Sequence, residues 1–222
     1  MVHLHDFLDL VLPTRCSICR RLGGIICENC ASNFETNAKP VSREANGKLL
    51  RGFRATDYDE PCRLLIHAFK EKGHTALSRF MGQKLGTLLL EFDFLGGPEV
   101  FLVPVPSSRA NYIKRGYKPS VILAKAAARS AAKGIFRVSD SLRFSRVVED
   151  QAKLQTAGRA MNLAGSMVAN QSLVGRKVIL VDDIVTTGAT LLESARAASA
   201  AGAEVVGFIT FAETLLKTPA KN

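Results

Sequence analysis

Asp182 and Asp183 close an apolar, β-branched run in the stretch VILVDDIVTTGAT, residues 178–190, and a loop of Thr and Gly follows them. This order suits a sugar phosphate. Residues 178–181 read as a buried strand with the paired acids at its carboxyl end. Thr186, Thr187, Gly188, Ala189 and Thr190 then lead into an Ala/Leu-rich helix. Ionised carboxylates only accept hydrogen bonds, so they can take the hydroxyls of a sugar. A Thr/Gly loop that opens a helix presents backbone N–H groups to a phosphate. A strand ending in two solvated aspartates before an ordinary cap explains the acids, but not the order of all thirteen residues.

A second set of reactive side chains lies near the N-terminus. Cys16 and Cys19, then Cys27 and Cys30, form two CxxC pairs separated by seven residues. Four thiolates brought around one point match tetrahedral zinc, and they leave no coordination position for water, so such a site is structural. Gly23 and Gly24 let the intervening residues turn. Disulfides and a redox CxxC are the alternatives; two pairs this close favour a metal, and a reducing compartment disfavours disulfides. Metal binding would fold a segment too small to bury a core of its own. Cys62 stands alone and reads as a packed core cysteine. His3, His5, His67 and His74 have neither ligand spacing nor a nucleophile beside them, and no role is assigned to them.

The elements that must carry these groups alternate between strand and helix. Residues 4–12 place Leu4, Phe7, Leu8, Val11 and Leu12 on one helical face that stops at Pro13. Residues 31–50 read as polar and irregular. The expected boundary falls among them, with an N-terminal helix and cysteine module at 1–40 and the main domain at 41–222. Residues 50–58 read as a strand or hairpin. Two amphipathic helices follow around Gly73, and then a short apolar strand enters the Pro-rich turn holding Ser107, Ser108 and Arg109. Ligands of a parallel α/β sheet bind at the carboxyl ends of its strands, so this turn and the Asp182 loop would line one crevice. A helix from Pro119 to Gly134, a strand over 135–144, a helix capped at Gly202 and a last buried strand complete a doubly wound parallel sheet. Residues 145–162 read either as an anion-binding loop or as a surface helix.

Charge is concentrated. Of the net +10, residues 105–160 supply twelve Lys or Arg against three acids. That field suits a polyanion, either a pyrophosphate or a nucleic-acid backbone, unless it is simply a solvated basic surface. No apolar run is long enough to span a membrane, and the acidic first residues do not resemble a signal peptide, so a cytoplasmic location is expected.

The two acids with Thr-Thr-Gly-Ala-Thr resemble the phosphoribosyl pyrophosphate (PRPP) motif of type I phosphoribosyltransferases. That resemblance implies that Asp182 and Asp183 hold the ribose 2- and 3-hydroxyls and that residues 186–190 hold the 5-phosphate. Zinc knuckles ahead of such a core resemble the ComF family of competence proteins. So do Val103-Pro104-Val105-Pro106, Arg115-Gly116-Tyr117 and Gln151 with Arg159 and Asn162. The likeness runs from Cys16 through Phe211. It implies an α/β, type I phosphoribosyltransferase-like fold with a small zinc-ribbon module. It also implies a pyrophosphate loop at Ser107, Ser108 and Arg109, and a flexible basic loop over 143–159 with Arg146 and Gln151, approached by Arg115. Lys118-Pro119, where the family often has Asn-Gln, and Val148, near a frequent Thr, depart from the pattern.

Two functions follow from the resemblance. In one, the protein holds PRPP or a related ribose phosphate and serves DNA uptake, handling single-stranded DNA beside competence proteins. Phe136, Phe144, Tyr112 and Tyr117 are too sparse to form a stacking platform for it. In the other, it is an active transferase that displaces pyrophosphate, with Mg²⁺ on the leaving group and Arg109 and Arg146 adding fixed positive charge. No general base and no catalytic residue is assigned. Because little chain follows the last strand, the cysteine module is expected to cover the crevice.

Overall fold

The computed structural model describes residues 14–34, 38–45, 47–93, 99–131, 134–147 and 163–214. The helix expected over 4–12, most of the segment 145–162 and the residues Gln151, Lys153, Arg159 and Asn162 lie outside them.

A short helix α1 (Glu28–Ala31) ends the cysteine segment, and the hairpin β1 (Lys39–Ala45) and β2 (Lys48–Asp57) follows it. Then come α2 (Glu60–Glu71), α3 (Leu77–Leu88), β3 (Val100–Pro104), α4 (Arg109–Arg115) and α5 (Pro119–Ser130). The chain continues through β4 (Phe136–Val138), β5 (Leu142–Phe144), β6 (Met167–Ala169), β7 (Lys177–Val185), α6 (Ala189–Ala200) and β8 (Glu204–Glu213). Six strands form one sheet in the order β1-β2-β8-β7-β3-β4, parallel throughout except for the antiparallel edge pair β1–β2. β5 and β6 make a separate antiparallel ribbon.

Both faces of the sheet are covered, which is why its central strands are apolar without alternation. Ile179 and Val181 of β7 point into the core shared with α2, α3 and α5. Val178 and Leu180 point into the opposite core, shared with α6. The same alternation splits Ile209 and Phe211 from Phe208 in β8. From β3 the chain winds outward to β4, and from β7 it winds the other way to β8. Adjacent β3 and β7 therefore flank the point where strand order reverses, the usual place for a crevice in such a sheet.

Some expectations need correction. Residues 31–50 are not irregular, since they contain β1 and the start of β2. β1 reads as a loop because it is a polar edge strand: Val41 is buried while Pro40, Ser42 and Glu44 are exposed, and an edge tolerates proline. The sheet itself is the expected doubly wound one, parallel apart from the edge pair β1–β2. The strand expected over 135–144 is two strands in two sheets, broken at residues 139–141. Helix α5 stops at Ser130, ahead of the expected Gly134. Gly202 does close α6, with a positive φ and its N–H donating to the Ser199 carbonyl.

Helices α3 and α5 cross at unusually short range, which only small residues permit. A Cβ on Gly82 would overlap the Ala126 Cβ, and one on Gly86 would overlap the Ser130 Oγ. The β5–β6 ribbon is tied to α6 by the buried Glu193 carboxylate, which accepts the Met167 N–H at 2.9 Å and pairs with Arg196.

Candidate functional site

At the carboxyl ends of β3 and β7 lies a cavity of about 360 Å³. Asp182, Asp183, Thr186 and Thr190 line it from the β7 side, and Ser107 and Ser108 line it from the β3 side. The two loops that the sequence places in one crevice do share it. Their spacing follows from the register: Pro104 pairs with Val181, and the Val105 N–H donates to the Val181 carbonyl at 2.9 Å.

Asp182 accepts the backbone N–H of Asp183 at 2.9 Å, while the buried Asp183 carboxylate meets the Lys70 ammonium at 3.0 Å. Burial and the charge of Asp183 push the Asp182 carboxyl up to about 8, with Lys70 acting against them. Burial opposes the Lys70 charge, yet the Asp183 and Asp182 carboxylates outweigh it and raise the ammonium above the ordinary lysine range. Lys70 has no local signature in the sequence. Within CRLLIHAFKEKG it is one polar residue of an amphipathic helix, and only the fold swings α2 across the exit of β7.

The Thr loop turns at Gly188, which adopts φ +81° at the start of α6. It has a second reason to be glycine: a Cβ there would meet the Arg43 side chain at 2.5 Å. Arg43, from the unanticipated strand β1, donates to the Thr186 carbonyl at 2.9 Å and to Glu213 at 2.6 Å, so it holds the loop from beneath. Thr187, Gly188 and Ala189 belong to this turn without lining the cavity.

On the other side, Ser108 caps α4 and accepts the Asn111 N–H at 3.3 Å. Arg109 begins that helix on its exposed side and does not line the cavity, whereas Arg115 does. Six residues at 100° each put the two arginines on different helical faces. The Arg115-Gly116-Tyr117 element has a clear division of labour. Arg115 reaches the cavity and pairs with Glu71 at 2.5 Å, and Gly116 closes α4 in a left-handed turn. The Tyr117 hydroxyl donates to the Phe69 carbonyl and lies 3.2 Å from that of Lys70, which fixes the end of α2 bearing Lys70.

Several cations of the basic segment are already committed. Lys114 joins Arg115 on Glu71, Lys118 pairs with Asp140, and Arg137 pairs with Glu99. Arg146 is exposed, donates to the Ala164 carbonyl at 3.3 Å, and is not a lining residue.

The sulfur atoms of Cys16, Cys19, Cys27 and Cys30 all lie within 4.8 Å of one another, and Cys19 and Cys27 are 3.7 Å apart. A tetrahedral metal with sulfur at about 2.3 Å sets sulfur–sulfur edges of roughly 3.8 Å, so the four fit one ion. Their crowding also calls for a cation. Burial and the three neighbouring sulfurs push the Cys30 thiol up to about 12. Burial opposes the Cys16 thiolate as well, but the N–H groups of Cys27, Cys19 and Ile18 bring it down to about 6. The cluster is joined to the main core. Ser17 Oγ is hydrogen-bonded to His74 Nδ1 at 2.9 Å, and Phe34 packs on Phe80 and Phe211. His74, to which the sequence assigns nothing, thus links the module to the α2–α3 turn. None of residues 14–34 lines the crevice, Lys70 of α2 does, and the module's apolar residues Ile18, Ile25, Ile26 and Phe34 pack into the core.

Residues 117–222 match the family model described as a phosphoribosyl transferase domain. The chain is 25% identical over 207 residues to the DNA utilization protein YhgH of Escherichia coli O157:H7, covering 90% of each. It is 32% identical over 95 residues to the competence protein ComFC of Bacillus subtilis, which is 43% of this chain and 36% of that protein. These matches support a ComF-like protein with a phosphoribosyltransferase domain. A shorter likeness, 37% over 46 residues, connects it with an orotate phosphoribosyltransferase of Streptococcus pyogenes, covering 21% of this chain and 22% of that enzyme. In this chain the family model begins at Tyr117. It therefore takes in the Asp182 loop but neither the cysteine cluster nor α2 with Lys70. Among the described residues no helix is long and apolar enough to cross a membrane.

Proposed function

We propose that the crevice binds Mg-PRPP and that this binding serves the use of DNA or its building blocks. The observation that carries the reading is the meeting of the Asp182–Asp183 pair, the Thr186–Thr190 loop and the Ser107–Ser108 turn around one cavity. The acids accept the ribose hydroxyls, the N–H groups at the start of α6 and the Thr side chains take the 5-phosphate, and Ser107, Ser108 and Arg115 face the pyrophosphate. Mg²⁺ carried in on the pyrophosphate neutralises part of its charge. The role in DNA comes from the names of the relatives, a DNA utilization protein and a competence protein. We place the protein in the cytoplasm, with zinc as the metal of the four thiolates, residues 1–40 as its module and 41–222 as the catalytic or binding domain.

A second reading, transfer of the phosphoribosyl group, is favoured by a further cavity that opens beside the first at Lys70, Arg115 and Ile184. Transfer forms a bond from an acceptor nitrogen to the anomeric carbon. The bond to the pyrophosphate oxygen breaks with its electron pair leaving on pyrophosphate, and the acceptor proton passes to water.

Titration calorimetry with Mg-PRPP tests the site. Wild type is expected to bind, and the double variant Asp182→Asn, Asp183→Asn is expected to lose at least about 100-fold in affinity, because the Asp183 carboxylate and the Asp182 carboxyl both leave the ribose. Absence of heat with wild type would end the PRPP reading. Binding of single-stranded DNA that weakens steeply with salt would locate the DNA role in the strand itself. Its absence would locate that role in nucleotide chemistry.

A further inference from the structure

Past the Asp182–Asp183 pair, an open groove of about 280 Å³ runs between α2 and the exit of β7. Tyr58, Arg63, Ile66 and His67 line it together with the three residues it shares with the first cavity. Arg63, His67 and Lys70 are spaced four and three apart, so α2 turns one stripe of cationic or basic side chains towards this space while Leu65 and Phe69 enter the core. Helix α2 is therefore amphipathic in an unusual sense, because its polar face is the wall of a cavity.

We propose that this second cavity is an acceptor subsite, and that its occupant is a planar heterocycle carrying a carboxylate, held by Arg63. The proposal rests on the PRPP reading. Three observations support it. Its volume lies just under the lower bound of about 300 Å³ for small-molecule sites, which leaves room for a single ring and not for a polynucleotide. Its apolar walls, Tyr58, Ile66 and Ile184, offer surface to the faces of a ring. Its charge balance favours an acid. Lys70 is tied to Asp183, and Glu71, the acid among the described lining residues, is taken by Lys114 and Arg115.

Arg63 is different. Its partner is Glu60, one turn back on the same exposed face, with both side chains at least half exposed and contacts of 2.7 Å. Water screens such a surface pair and its net contribution is small, so exchange of Glu60 for a ligand carboxylate is easy. A bidentate fork then suits the carboxylate plane. The same ring supplies the nucleophile. Its nitrogen attacks the anomeric carbon as pyrophosphate departs with the bonding pair, and the proton of that nitrogen, where one is present, is lost to water.

The experiment presents the PRPP-loaded full chain with two pairs of probes, nicotinate against nicotinamide and orotate against uracil. Binding is followed by saturation-transfer NMR and turnover by pyrophosphate release. In at least one pair the acid is expected to bind about tenfold or more tightly than the neutral ring. Arg63→Ala and Arg63→Gln are both expected to erase that preference while Mg-PRPP still gives heat. Neutral rings binding as well as acids, acid preference surviving both substitutions, or no probe binding to the PRPP-loaded protein would each overturn the proposal. If Mg-PRPP itself fails to bind wild type, the failure belongs to the reading beneath.

Discussion

Two carboxylates side by side in a half-closed crevice share a problem that their surroundings solve unequally. Asp183 has Lys70 as a direct partner, and Asp182 has a single backbone N–H. With its carboxyl pushed up to about 8, Asp182 retains a proton at neutral pH in the folded protein, whereas in the unfolded chain it releases one near pH 4. Folding then takes up a proton between those limits. The stabilisation is complete below the unfolded value and is lost as pH rises through the folded one. An asparagine in its place cannot ionise. The melting temperature of Asp182→Asn relative to wild type is therefore expected to rise by several degrees between pH 5 and pH 8, and then to level off. A difference independent of pH would refute the assignment. Tyr117 acts one step further out, through the carbonyls at the end of α2. Tyr117→Phe is expected to cost about 1 kcal/mol in urea unfolding and to weaken Mg-PRPP binding through the loosened Lys70. Unchanged affinity would confine Tyr117 to a structural role.

Among the elements, the pair α3 and α5 shows how a site can depend on residues far from it. α5 starts directly after the Arg115-Gly116-Tyr117 turn, and its Ser120 hydroxyl donates to the Val105 carbonyl at 2.6 Å, beside the Ser107 loop. Its distance from α3 is fixed by Gly82 and Gly86. Gly82→Val is expected to destabilise the protein by roughly 2–3 kcal/mol, because Ala126 belongs to a helix backbone that cannot step aside cheaply. Equilibrium unfolding in urea checks it, and a loss below about 1 kcal/mol would show that the helices separate freely. Elements were legible in proportion to their burial. The apolar runs of β7 and β8 and the period of α2, α3 and α6 can be read from the chain. β1 and β6 cannot, because a short strand with one polar face has the composition of a loop. Arg43, which supports Gly188, was hidden with its strand.

For the molecule as a whole, the cysteine cluster is an integral part of the core. Phe34 is buried against Phe80 and Phe211, and Ile18, Ile25 and Ile26 pack on the same cluster of side chains. Removal of the metal by a strong chelator is expected to release one ion per chain. It should also lower the temperature of the single unfolding transition by several degrees, since four crowded thiols then lack their cation. An unchanged transition, or a metal content near zero before chelation, would detach the cluster from stability.

The linear order of residues was enough to determine the chemistry that depends on neighbours in the chain: four sulfurs at knuckle spacing, two acids at a strand end, a Thr/Gly loop before a helix. Each of these is a local constellation whose parts are positioned by their own backbone. Tertiary structure alone decided what completes them. Lys70 and Arg43 come from elements far away in sequence, and their contacts with Asp183 and the Thr186 carbonyl arise from where α2 and β1 lie against the sheet. That Arg115 lines the cavity and Arg109 does not follows from the phase of a seven-residue helix. Packing also decided where residues 14–34 lie, because their apolar side chains gain more in the core than above a polar site. Asp182 and Asp183 are thus legible in the sequence, and Lys70, the cation that pairs with Asp183, is not.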